Sequence, residues 1–139
     1  MIPVKFPKPE TAMRLSFILT GLLSLALASC SKPKEEAYSK LLYRHNVYGD
    51  PETALPFTGI AKETYPDGKR KAEFPMKNGK FHGTVKEWYQ SGKKLAETEF
   101  KDGERVGKNT EWTEAGLLYR ERVYDHEHIV SEKTYDTGK

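Results

Sequence analysis

The sequence predicts an all-β fold: an elongated antiparallel meander of β-hairpins that forms a largely single-layer twisted sheet. Three observations carry that prediction. The chain repeats itself at an interval of 24 residues, the spacing of Gly59, Gly83 and Gly107. Asn78-Gly79 and Asp102-Gly103 stand where one block meets the next, and such pairs supply the positive φ that a tight hairpin turn requires. After residue 57 no segment keeps a helical spacing of apolar residues. The length, 139 residues, allows one domain at most. With 37% apolar and 31% charged residues, a deep core is not expected.

In chain order, residues 1–29 read as a signal peptide. Leu15 to Ala28 carry no charge and follow Met13-Arg14; such a run is too short to span a bilayer comfortably but fits the apolar part of an export signal. Pro3, Pro7 and Pro9 fit poorly at the front of a signal, so Met13 is an alternative expected start of translation. Leu27-Ala28-Ser29-Cys30 resembles the bacterial lipobox at all four positions. The resemblance implies cleavage between Ser29 and Cys30, a diacylglyceryl thioether on Cys30 and acylation (palmitate, for example) of the new amino group. Each buried methylene contributes about 0.8 kcal/mol, so several acyl chains hold a protein firmly to a membrane. Cys30 is the only cysteine, so one chain cannot form a disulfide.

Residues 30–40 are expected to be a lipid-anchored polar tether. Ser31 in place of Asp, by resemblance to known sorting patterns, implies delivery to the outer membrane. Residues 41–139 form the repeat domain. Leu41 to Tyr48 read as one degenerate leading strand and Gly49 to Pro56 as a loop. Three blocks follow at 57–80, 81–104 and 105–128, with a partial one at 129–139. Glu63, Glu87 and Glu111 coincide, as do Glu73, Glu97 and Glu121, and Gly68, Gly92 and Gly116. Thr64, Trp88 and Trp112 form one further column, and Tyr65, Tyr89 and Thr113 another. Each block holds two strands, divided by Pro66-Asp-Gly68, Gln90-Ser-Gly92 or Glu114-Ala-Gly116. This pattern, with the opening Pro56-Phe57-Thr58-Gly59, resembles the MORN-type repeats of the bacterial variant class. The third block departs from it at Arg105, in place of Phe, and at Glu127, in place of the closing Gly. The resemblance implies the hairpin fold; some members of that class carry an antitoxin label.

Several kinds of chemistry are disfavoured. The formal charge is +3, and residues 1–29 contribute +2 of it through Lys5, Lys8, Arg14 and Glu10. The remainder, with its signs interspersed, has no electrostatic footprint for nucleic acid. Gly103-Glu-Arg-Val-Gly107-Lys108 looks like a phosphate loop, but its glycines are four apart and Asn109 follows the lysine, where a phosphate loop has Ser or Thr. The glutamate columns are alike by symmetry, whereas an acid–base pair needs two differently tuned environments. His126-Glu-His128, with Asp125 and His82, falls short of a zinc site's fixed ligand set. No metal, no catalytic residue and no cofactor beyond the lipid on Cys30 is expected.

The expected function is that of a membrane-anchored lipoprotein, a non-enzymatic, repeat-based protein-interaction module of the bacterial cell envelope. The alternative is an immunity or antitoxin-like protein neutralising a toxin. Tyr65, Trp88, Tyr89 and Trp112 are the expected partner surface, an exposed aromatic face. The expected partners are an unidentified protein or glycan of the envelope and the membrane itself. Edge-strand self-association is a further expectation, because a sheet edge offers unpaired backbone groups.

Overall fold

The computed structural model describes residues 32–138. The expected signal peptide, with Ser29 and Cys30, lies outside that range. The elements are β1 (Glu35–Ala37), a 3₁₀ turn (Tyr38–Lys40), β2 (Leu42–Arg44), β3 (Val47–Gly49), β4 (Gly59–Thr64) and β5 (Arg70–Lys77). They continue with β6 (Lys80–Phe81), β7 (Gly83–Trp88), β8 (Lys94–Lys101), β9 (Glu104–Trp112), β10 (Leu118–Asp125) and β11 (His128–Thr134). One sheet runs β1-β4-β5-β7-β8-β9-β10-β11, with β6 also paired to β5, and β2–β3 form a separate two-stranded sheet. The expected all-β hairpin meander is therefore the fold.

The turns explain its regularity. Within each block a glycine at positive φ (Gly68, Gly92, Gly116) closes the loop. The same pair of backbone bonds recurs there: Tyr65 N to Lys69 O at 2.8 Å, Tyr89 N to Lys93 O at 2.9 Å and Thr113 N to Leu117 O at 2.8 Å mark one of them. Between blocks, Asn78-Gly79 and Asp102-Gly103 take positive φ at both residues. Each such turn reaches back to the residue that opens its block: Gly79 N donates to Phe57 O at 2.7 Å and Gly103 N to Phe81 O at 2.9 Å. His126-Glu127 does the same without glycine, with φ of 44° and 68° and Glu127 N on Arg105 O at 3.0 Å. The hairpin within each of the three blocks also carries a bulge, and the residues inserted are Lys71, Leu95 and Tyr119.

The leading segment differs from expectation in two ways. Residues 35–40 are not free tether. β1 lies parallel to β4, with Glu35 opposite Ile60 and Ala37 opposite Lys62. Ile60 N donates to Lys34 O at 2.8 Å, and Lys34 pairs with Asp50 and Lys62 with Glu35 at 2.7 Å. Parallel pairing arises because the chain must cross over, through β2–β3 and the loop after them, before β4 begins. The single leading strand is in fact a hairpin, β2–β3, turned by His45 and Asn46 at φ of 51° and 60°.

That hairpin folds onto the sheet and gives the first block its core. Phe57, Ala61 and Met76 are buried, and Tyr38, Leu41, Tyr48, Phe74 and Phe81 pack against them. Phe57 is 1% exposed. Ring contacts continue outward from it: Tyr38–Phe74 at 4.7 Å, Phe74–Phe81 at 5.4 Å and Phe81–Phe100 at 5.4 Å. Among the described residues, the sheet has a second layer only beneath this segment.

Candidate functional site

Register sorts the side chains into rows, because residues directly opposite on paired strands point to the same face. One row reads Lys62, Glu73, Lys86, Glu97, Thr110, Glu121, Lys133. Its near-alternation of charge explains the Glu73, Glu97 and Glu121 column as cross-strand pairing. Lys94 adds an ion pair to Glu97 at 2.8 Å, and Lys108 pairs with Glu121. The contact with Lys108, aided by the Tyr135 hydroxyl, holds the Glu121 carboxyl below its usual pKa.

Trp88 and Trp112 share this face with Arg70 and Lys94. The Arg70 guanidinium lies 3.8 Å from the centre of the Trp88 ring and the Lys94 ammonium 5.0 Å from that of Trp112. Trp88 is 6% exposed, so the expected exposed aromatic face needs correcting. Its ring is covered by a cation from the preceding hairpin, a contact that also stabilises the sheet. Trp112 is half-buried in the same way. Tyr65 and Tyr89 are half-buried and act as latches between repeats. The Tyr65 hydroxyl donates to the Trp88 carbonyl at 2.8 Å and that of Tyr89 to the Trp112 carbonyl at 2.9 Å. The four residues are thus brought together, with the sheet's own bonds taking up their polar and π groups.

On the opposite face the row reads Glu63, Ala72, Glu87, Ala96, Glu111, Arg120. The three glutamates differ in their partners. Lys71 reaches Glu63 at 2.8 Å. Arg120 and Arg122 reach Glu111 at 2.7 and 3.2 Å. Glu87 has no such cation: Leu95 occupies in its block the bulge position that Lys71 occupies in the first. Burial, then the charges of Glu111 and Glu63, raise its pKa. The repeats are thus less alike than their symmetry implies.

The histidines are dispersed. His82 Nδ1 lies 3.2 Å from Asp102 and His126 Nδ1 2.8 Å from Asp125. His128 turns to the His126 carbonyl at 2.9 Å. Among the described residues no group of three or more His, Cys, Asp or Glu side chains is placed to hold a metal ion. The phosphate-loop-like stretch spans a turn at Asp102-Gly103 and strand β9. Among the described residues no helix is long and apolar enough to cross a membrane.

Two clefts lie at the leading hairpin, and sequence reasoning missed both. One, of about 450 Å³, lies between the Leu42/Val47 side of β2–β3 and Ala54 and Pro56. The other, of about 390 Å³, lies between the Tyr43/Tyr48 side and the inter-repeat turns at Gly79 and Gly103. The available signal was His45-Asn46 flanked by Tyr43 and Tyr48, a degenerate copy of the Asn-Gly hairpin.

This geometry defines a class, a β-sheet module built from hairpin repeats, with tyrosine hydroxyls latching one repeat to the next. Residues 81–102 match the MORN repeat variant family, which supports a MORN-repeat protein and a repeat-based interaction module. Searches of curated proteins and of solved structures gave no significant match.

Proposed function

We propose that the protein is a non-enzymatic module that presents a sheet edge to a protein partner, held at a bacterial membrane by a lipid on Cys30. The observation that carries the reading is β11. All seven of its residues, His128–Thr134, are exposed, and Ile129 and Val130 are 51% and 61% exposed. Among the described residues only β10 pairs with it. A strand whose outer edge keeps free amide and carbonyl groups beside apolar side chains is suited to take an added strand. The latched aromatics Tyr65, Trp88, Tyr89 and Trp112 serve in this reading to hold the repeats together behind that edge.

Anchoring rests on the lipobox resemblance at Leu27-Ala28-Ser29-Cys30. Lys34 is already bonded to the sheet, so only residues 31–33 separate Cys30 from the folded part. From Cys30 to Lys34 there are four residue steps, at most about 14 Å of chain, so in this reading the lipid holds the module close to the bilayer.

The test has two parts. Mass spectrometry of the mature N-terminus is expected to find Cys30 acylated; an unmodified Cys30 sinks the anchoring. Val130→Lys, placed on the open edge, is expected to abolish crosslinking to the partner while leaving thermal unfolding unchanged. Retained crosslinking sinks the edge.

A further inference from the structure

The cleft on the Tyr43 side of the leading hairpin has a composition that points to a ligand. Its apolar part is a short run of rings: Tyr43 packs on Tyr48 with centres 4.6 Å apart, and Tyr48 on Phe81 at 5.6 Å. Tyr43 is nevertheless 58% exposed. Tyr48 covers only part of it, so a good share of the Tyr43 ring is open to solvent where it lines the cleft. Its polar part is mixed: Asn46, Lys80, Asp102 and Glu104 line the same 390 Å³. The Tyr43 hydroxyl donates to Asn46 Oδ1 at 2.8 Å. That bond orients the Asn46 amide and leaves its NH₂ group free to donate.

Three ligand chemistries can be weighed against this set. A phosphate or nucleic acid would meet two carboxylates, Asp102 and Glu104, against one ammonium, that of Lys80. An organic cation wants several ring faces converging on it, but Tyr43 and Tyr48 lie at 41° to each other and in contact, so one face is left. A neutral sugar presents an apolar C–H face to one ring and hydroxyls that both donate and accept. Tyr43 supplies the platform, Asn46 and Lys80 supply donors, and Asp102 and Glu104 supply acceptors.

We propose that this cleft is a saccharide-binding site, with Tyr43 as the stacking platform and Asn46, Lys80, Asp102 and Glu104 bonding the hydroxyls. The site joins elements far apart in sequence. It exists only because β2–β3 folds back over two successive inter-repeat turns, where Tyr48 N donates to Gly79 O at 2.9 Å. It is separate from the β11 edge and independent of the lipid on Cys30.

The experiment is saturation-transfer NMR on the full chain in detergent with cellobiose, maltose, lactose and N,N′-diacetylchitobiose at millimolar concentration. At least one disaccharide is expected to take up saturation on the ring C–H face. Its affinity should fall about tenfold in Tyr43→Ala, the scale of one aromatic contact, and fall also in Asp102→Asn. Val130→Lys should leave it unchanged. If Tyr43→Ala unfolds the hairpin, Asp102→Asn and Lys80→Met carry the test, since neither residue supports the rings. Transfer to none of the four sugars overturns the site. So does transfer that survives these substitutions in folded protein, or displacement of the sugar by tetramethylammonium or inorganic phosphate.

Discussion

The first and third blocks share one backbone and have opposite interiors. Both close with a turn whose two residues have positive φ and whose second residue donates back to the residue opening the block. In the first block the opening residue is Phe57, buried with Met76 under the leading hairpin. In the third it is Arg105, whose guanidinium lies 4.6 Å from the Tyr124 ring centre and 2.6 Å from Glu127. The middle row of the same face changes in step. It pairs Ala61 with Phe74, then Val85 with Thr98, then Asn109 with Arg122 and Arg122 with Glu132. The second layer covers the first block and not the third. Side-chain chemistry follows that cover, whereas hairpin geometry follows the turns.

The largest effect expected from this difference is at the opening residue. Phe57→Ala should cost about 3–5 kcal/mol, the usual loss for a buried ring. Arg105→Ala should cost less, about 1–2 kcal/mol: its ion pair with Glu127 is exposed and solvent-screened, although the substitution also uncovers the buried Tyr124 ring. Urea unfolding measures both. Equal losses would mean that the two interiors contribute alike and that the cover of the leading hairpin is immaterial.

The closing turn gives the next effect. A Cβ on Gly79 would lie 2.3 Å from Val47 Cγ1 and 2.6 Å from the Tyr48 carbonyl, at a φ of 73°. Gly79→Ala should therefore cost about 1–3 kcal/mol and loosen β2–β3, which hydrogen exchange at Tyr48 would report. Glu127 tolerates its φ of 68° in open surroundings and returns an ion pair to Arg105. Glu127→Gly relieves the backbone and removes that pair, so its net effect should stay within about 0.5 kcal/mol. A loss at Glu127 as large as that at Gly79 would show the ion pair, rather than the turn, holding the third block.

What the sequence made legible follows the same division. Asn78-Gly79 and Asp102-Gly103 announce their turns because few residue pairs accept positive φ, and the 24-residue spacing then locates the third turn at His126-Glu127. β1 was not legible: three residues paired in parallel to a strand beyond a long crossover leave no local pattern. The column of Trp88 and Trp112 was legible in the repeat, but the burial of Trp88 was not. Alternation tells which way a side chain points, and the covering Arg70 comes from the neighbouring hairpin. The Tyr43 cleft was hidden for a similar reason, since Asp102 and Glu104 meet Tyr43 only after the hairpin folds back. Arg105 and Glu127 were visible as two separate departures from the repeat; that they compensate each other is a fact of the register.

The smallest effect tests whether the second block stands between the other two. Glu87 is flanked in its row by Ala72 and Ala96, with Glu63 and Glu111 one strand further out on either side. Lys71 is committed to Glu63, and Arg120 and Arg122 to Glu111. Because burial and those two carboxylates raise its folded-state pKa, the folded chain binds this proton more tightly than the unfolded chain. Its contribution is therefore most favourable below the ordinary carboxylate value and declines as pH rises through the raised one. Leu95→Lys would give Glu87 the cation that Lys71 gives Glu63. It should stabilise the sheet by a few tenths of a kcal/mol near pH 7, as exposed pairs do, and flatten the decline with pH. Glu87→Gln, which mimics the protonated form, should also remove the pH dependence, but without needing a partner. Urea midpoints between pH 4 and 7 separate the cases. If neither variant changes the slope, Glu87 is solvated well enough to need no cation, and the second block then resembles the uncovered third rather than the first.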